Sequence, residues 1–402
     1  MKHLGGARIL MYSHDTFGLG HLRRCRAIAH SLVENYPGLS ILIVSGSAIA
    51  GAFDFRARVD FVKVPSVIKL RNGEYTSMDQ HIDIRDTIRM RKSIIHHTAK
   101  TFQPDVFIVD KEPMGLKGEI TETLAFLKSR GTTLVLGLRD VLDSPDLLAA
   151  EWKRKDLVRK IDHIYDHIWV YGPEYFHDPL SGLNVPATLR SRVSFLGFLK
   201  RQALHAELVS HKQEGEFILI TAGGGGDGVG LIRSALAAYE HDTDLNLKAV
   251  VVLGPYMPGK ERVEFMERSE QISNIQVIDF DSRMEELISS STAVVSMGGY
   301  NTFCEILSFD KPALIIPRTV PRKEQLLRTR RAAELGLVDM LLPDDADKPD
   351  RMAGAIRALP SRPKPSERSD KVELDGLTAL SRSIGEIFEA RKKARETESA
   401  SA

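Results

Sequence analysis

The stretch RILMYSHDTFGLGHLRRCRAIAHSLV, residues 8–33, contains a change of period. An apolar run, Ala7 to Tyr12, gives way to a turn at Gly18 and Gly20. From Cys25 to Val33 apolar residues then recur at helical spacing. A strand therefore ends and a helix begins around His21. A strand, a turn and a helix make half of a βαβ unit, so the fold class depends on whether the pattern repeats.

It repeats along nearly the whole chain. SILIVSG, DFVKVP, DVFIVD, TLVLGLRD and HIWVYG follow in the first half, and FILITAGG, LKAVVVLG, IQVIDF, TAVVSMGG and PALIIP in the second. These runs are short, rich in Val, Ile and Leu, and continuous rather than alternating, as parallel strands buried on both faces require. Helix-like segments separate them, which predicts right-handed crossovers and two Rossmann-like domains. The polar stretch within VSFLGFLKRQALHAELVSHKQEGE (193–216) marks a boundary. The expected division is 1–200, 201–372 and a C-terminal helix and tail over 373–402.

Composition bounds the function. The chain has 402 residues, 43% hydrophobic and 27% charged, with a formal net charge of +1. That profile is globular and argues against nucleic acid as the partner. Two distant cysteines, Cys25 and Cys304, form neither a disulfide framework nor a CxxC site. No apolar run nears the roughly 20 residues of a spanning helix. The expected compartment is the cytoplasm.

In parallel α/β sheets, ligands bind beyond the carboxyl ends of strands. The polar residues just after each strand are thus the candidates. Asp110, Lys111, Glu112, Arg139 and Asp140 follow two first-half strands and are the acceptor-side candidates, and AGGGGDG (222–228), with Gly224 and Gly225 as donor-side candidates, follows one in the second half. Glycine turns entering helices let backbone N–H groups approach a phosphate. None of them fits GxxxxGK[ST] or GxGxxG with a following ribose acid, which argues against an ATPase P-loop and a nicotinamide site. In MGGYNTFCE (297–305), a helix starting near Gly299 puts Thr302 in its first turn and Glu305 on the same face. A carboxylate there suits both hydroxyls of a ribose. Asp242–Asp244 and the pair His163/His167 imitate metal motifs. The first lies in a loop before a strand, and the second runs out of its helix, so no metal site is expected.

These residues resemble glycosyltransferase family 28, which includes the N-acetylglucosaminyltransferase of peptidoglycan synthesis. GLGHLRR, VDKEPMGLKGE and GGGGDG are similar to a group of predicted glycosyltransferases. The likeness is strongest over Ile275–Gly336. It implies an α/β GT-B fold, with two Rossmann-like domains facing a central cleft. It puts the nucleotide base against Phe280, Asp281 and Met284, the diphosphate on Gly298, Gly299 and Thr302, the ribose on Glu305, and the donor sugar near Glu324 and Gln325. Gly18 and Gly20 join the donor site from the first glycine loop. Gly298, Tyr300 and Arg328 depart from the family's usual serine, small residue and asparagine.

The resemblance implies an inverting, metal-independent transfer from a nucleotide sugar, chiefly a UDP-sugar, with no cofactor and His21 as general base. Of Arg23 and Arg24, at least one is expected to be solvated. The acceptor is a glycan or lipid-linked molecule. The basic run His81–Phe102, with Arg85, Arg89, Arg91 and Lys92, suggests a peripheral contact with an anionic inner membrane face. GxGHxxR also resembles a UDP-sugar hydrolase of pseudaminic acid biosynthesis, so hydrolysis and nucleotide-sugar binding without turnover stay open.

Overall fold

The computed structural model describes residues 4–14, 18–69, 74–78, 81–203, 215–368 and 372–401. Residues 15–17 of the first glycine loop and 204–214 of the expected boundary lie outside the described residues.

The first half forms a seven-stranded sheet: β1 (Arg8–Ser13), β2 (Ser40–Ser45), β3 (Val59–Lys63), β6 (Val106–Asp110), β7 (Thr133–Arg139), β8 (His167–Tyr171) and β9 (Val193–Phe195). Its order is β3-β2-β1-β6-β7-β8-β9, and every pairing is parallel. The second half forms a six-stranded parallel sheet from β10 (Ile218–Thr221), β11 (Ala249–Val252), β12 (Ile275–Ile278), β13 (Ala293–Ser296), β14 (Ala313–Ile315) and β15 (Asp339–Met340), in the order β12-β11-β10-β13-β14-β15. The strand-like runs of the sequence all appear. The antiparallel hairpin of β4 (Val67–Lys69) and β5 (Tyr75–Ser77) and the two-residue β15 are too short to carry a period, and the sequence reading omitted them.

Each sheet reverses its winding once, between β1 and β6 and between β10 and β13. A crevice opens at such a point beyond the strand ends. Register places Ser13 beside Asp110 at the first and Thr221 beside Ser296 at the second. The two halves of the site are thus products of topology.

Apolar side chains cover both faces of each sheet. One cluster lies within the first domain and one within the second, and a third continues between them through Phe176, Phe198 and Phe303. The rings of these three phenylalanines lie 5.0–5.7 Å apart. The C-terminal helix, Gly376–Ser401, returns to the first domain, where Asn35 Nδ2 donates to Ser381 Oγ (3.0 Å) and Tyr36 OH to the Ser381 carbonyl (2.7 Å).

Candidate functional site

His21 sits in the first turn of the helix Gly20–Asn35, at the β1/β6 crevice. Its Nδ1 is hydrogen-bonded to Asp110 Oδ2. Arg24 grips the same carboxylate through Nε (2.8 Å to Oδ1) and Nη2 (2.5 Å to Oδ2). Burial would raise the Asp110 carboxyl, but Arg24 and then His21 hold it well below the usual carboxylate range. An ionised carboxylate only accepts, so Nδ1 carries the His21 proton and Nε2 is left as a bare base. Burial, partly offset by Asp110, lowers His21 to about 4, so the ring is neutral at neutral pH.

A second histidine stands beside it. His14 directly follows β1, and its ring centroid lies 5.6 Å from that of His21. Tyr12 OH is 3.3 Å from His14 Nδ1 and donates to Glu119 at 2.5 Å, while Arg91 holds Glu119 at 2.6 and 2.7 Å. His14 and Glu112 line a cavity of about 520 Å³ on the first domain. The sequence reading gave His14 no role of its own, although its place at a strand end was visible. Arg91, expected on a basic outer face, is fully buried in this network.

The second crevice faces the first. A cavity of about 200 Å³ lies between the loops of Gly18–Gly20 and Gly223–Gly226 and the start of the helix Tyr300–Ser308. A Cβ built on Gly224 would stand 3.4 Å from Gly18 Cα, so the two loops nearly touch. Gly225 (φ +89°) leaves no room for a side chain, since its Cβ would lie 2.5 Å from the Leu253 carbonyl. Gly298 (φ +74°) is enforced likewise by Thr329 and Ile315, at 2.7 and 2.8 Å from the position of a Cβ. Thr302 and Gln325 line this cavity, and so does Arg139, expected on the acceptor side. Burial lowers the Arg139 guanidinium to about 10 and leaves its Nε unpartnered.

The remaining expected residues do not line that cavity. Phe280 meets Phe53 of the first domain edge-on, at 6.4 Å. Asp281 Oδ1 accepts from the Arg283 backbone (2.7 Å), and Met284 is buried. Glu324 pairs with Arg318 at 2.5 Å, and Lys111 with Glu112 at 3.4 Å. Asp140 is fully buried against Arg328, with bonds of 2.7 and 2.6 Å. Tyr300 lies between Arg24 (5.4 Å) and Arg328 (5.6 Å). Two of the departures from the family pattern, Tyr300 and Arg328, thus join the domains.

Both arginines of the first loop are buried, contrary to the expectation that one is solvated. Arg23 crosses to the second domain and donates to Glu305 at 2.5 Å and Glu285 at 3.1 Å. Glu305, expected to be open to the cleft, is 1% exposed. The structure also reveals Arg201, buried at the domain junction. It donates through Nη2 to Asn301 (2.8 Å), while its Nε and Nη1 have no partner. No local pattern marks that residue, because its surroundings come from both domains. His163 ends a helix and His167 opens β8, so they share no helical face.

Residues 217–383 match the glycosyltransferase family 28 C-terminal domain. Over 87 residues, 21% of this chain, the sequence is 32% identical to a UDP-N-acetylglucosamine–N-acetylmuramyl-(pentapeptide) pyrophosphoryl-undecaprenol N-acetylglucosamine transferase of Lachnospira eligens, a match that takes in 24% of that enzyme. An uncharacterised glycosyltransferase of Methanosarcina mazei is 24% identical over 75% of this chain and 77% of its own length. A UDP-glucosyltransferase of Polygonum tinctorium shares the fold, with a TM-score of 0.61 and 13% identity over 95% of this chain and 98% of its own. Residues 217–383 are therefore a glycosyltransferase family 28 C-terminal domain, and the chain as a whole has the two-domain GT-B fold.

Proposed function

We propose that the chain is an inverting, metal-independent glycosyltransferase in which His21 is the general base. The observation that carries this reading is the His21–Asp110–Arg24 triad, which leaves one imidazole nitrogen unprotonated on the residue next to Gly20, while Gly20 and Arg24 line the glycine-loop cavity. The acceptor hydroxyl gives its proton to His21 Nε2 as its oxygen attacks C1 of the donor sugar. The bond from C1 to the diphosphate breaks, and its electron pair leaves with the nucleotide. Asp110 steadies the imidazolium that forms. Backbone N–H groups of the glycine loops and the helix Tyr300–Ser308 take up the charge on the leaving diphosphate, together with Arg139.

The donor is a UDP-sugar in this reading, with its base toward Phe280, Asp281 and Met284 and its ribose on Glu305. The 520 Å³ cavity beside His14 and Glu112 supports an acceptor larger than water, and so transfer over hydrolysis. The acceptor class is a glycan or a lipid-linked molecule. No helix among the described residues is long and apolar enough to cross a membrane. A lipid-linked acceptor is instead reached from the surface, through exposed Met78, Ile82 and Met90 near Arg85 and Arg89.

A nucleotide-sugar panel, scored for nucleotide release and product mass with lipid and glycan extracts as acceptors, tests the reading. His21→Asn keeps a hydrogen-bonding side chain but no base. It should lower kcat by roughly 10²–10⁴-fold with UDP binding intact. The acidic limb of the rate should lie near pH 4 rather than 6.5, because His21 is neutral down to there. Turnover should survive EDTA. A kinetically normal His21→Asn protein ends the proposal, and acceptor-independent release of free sugar at the full rate favours the hydrolase.

A further inference from the structure

The donor reading needs the Glu305 carboxylate, and in this structure another group already holds it. Arg23 Nη2 donates to Glu305 Oε1 at 2.5 Å and to Glu285 Oε1 at 3.1 Å. Arg23 belongs to the first domain and both carboxylates to the second, so this contact also pins the cleft. The other oxygen, Glu305 Oε2, is buried without a hydrogen-bond partner.

The surroundings say what belongs there. Arg23 lines both the 200 Å³ glycine-loop cavity and a 720 Å³ cavity near the domain junction. Arg23 is thus common to both. A nucleotide with its diphosphate among the glycine loops and its ribose on Glu305 has to meet the guanidinium that holds that carboxylate. A vicinal diol also fits the carboxylate better than Arg23 does, since two hydroxyls supply a donor to each oxygen. Arg23 would keep Glu285 after the exchange, so neither charge is stranded.

We propose that Arg23 stands in for the donor's ribose: it occupies Glu305 in the empty protein, and a nucleoside diphosphate must displace it through its 2′,3′-diol. The inference rests on the donor reading above. Donor affinity is then set by competition, and the strength of the Arg23 contact tunes the nucleotide concentration at which the site fills. Binding removes one of the two contacts Arg23 makes across the cleft and leaves the Glu285 contact in place.

Calorimetric titration with UDP and with 2′,3′-dideoxyuridine diphosphate separates the outcomes. Titrated at a pH high enough to keep Glu305 ionised in both proteins, Arg23→Gln should bind UDP about 10-fold more tightly than the unmodified protein, within the usual range of coupling between sites. The gain should vanish for the dideoxy probe and in the Glu305→Gln background. If Arg23→Gln binds UDP equally or more weakly while Glu305→Gln alone weakens binding, the donor reading stands and the competition is refuted. If Glu305→Gln leaves UDP binding unchanged, the donor reading fails and the competition with it. Should Arg23→Gln not fold, Arg23→Lys keeps the charge on a single ammonium. It should tighten UDP binding by about 3-fold, a smaller coupling, and no gain there also overturns the inference.

Discussion

Two buried ion pairs cross between the domains, and they differ in one respect. Arg328 meets both oxygens of Asp140, at 2.7 and 2.6 Å, with both side chains fully buried, and its third nitrogen donates to the Gly298 carbonyl at 3.1 Å. Arg23 meets one oxygen of Glu305 and leaves the other bare. A pair with every lone pair satisfied is a strut, because nothing that enters can improve on it. A pair with one oxygen unfilled favours any ligand that brings two donors. The same residue types thus serve structure at one place and exchange at the other.

The sharpest way to break this contrast is to remove one partner from each pair. Asp140→Ala leaves Arg328 buried without a counter-charge and should cost on the order of 3–5 kcal/mol in denaturant unfolding. Arg23→Gln should cost less than half of that, because Glu305 is able to take up a proton. Equal losses would make both pairs struts and remove the basis of the comparison.

Proton binding sharpens it further. Burial, opposed by Arg23 and reinforced by Glu285, raises the Glu305 carboxyl to about 7 from an ordinary value of 4.5. The folded protein therefore holds a proton between those values that the unfolded chain has lost, and this site's contribution to stability falls as pH rises through that window. Ribose hydroxyls need the ionised form, so UDP should bind more tightly at pH 8 than at pH 6, by up to about 10-fold, the factor that one pKa unit represents. Glu305→Gln should flatten both slopes. A pH-independent UDP affinity in the unmodified protein would count against Glu305 as the ribose ligand.

The smallest expected effect concerns the outer face of the first domain. With Arg91 withdrawn into the core, Arg85 and Arg89 remain exposed, and Arg89 is engaged by Asp86. Flotation with vesicles of anionic lipid should show weak, salt-sensitive binding, about 1 kcal/mol per free basic residue. No preference for anionic over neutral lipid would remove that contact from the proposal.

Much of the architecture was legible in the chain itself. Strand and helix periods are local, so the change of period across His21 announces the unit that both domains repeat. The glycine loops, Thr302 and Glu305 could be assigned to strand ends for the same reason, and topology then brings strand ends together. His14 was equally available but was given no role, because a histidine directly after a strand resembles any loop residue until Tyr12 and Glu119 are seen behind it. Arg24 could be placed on the first helix and Asp110 at a strand end, but the two could not be joined.

Partner choice across the cleft was decided only by the tertiary structure. Arg23 and Glu305 are 282 residues apart, and Asp140 and Arg328 are 188 apart. A charged residue at a strand end or on a helix reads as solvated until a second domain covers it. Burial is a property of the assembled pair of domains, and it turns Asp140 from a candidate acceptor contact into a strut. It likewise turns Glu305 from an open ligand into an occupied one. Periodicity determines which elements form and therefore which residues reach the cleft. The docking of one sheet's crevice against the other determines which of those residues meet, because ion-pair strength depends on distance and desolvation, and neither is encoded in local spacing.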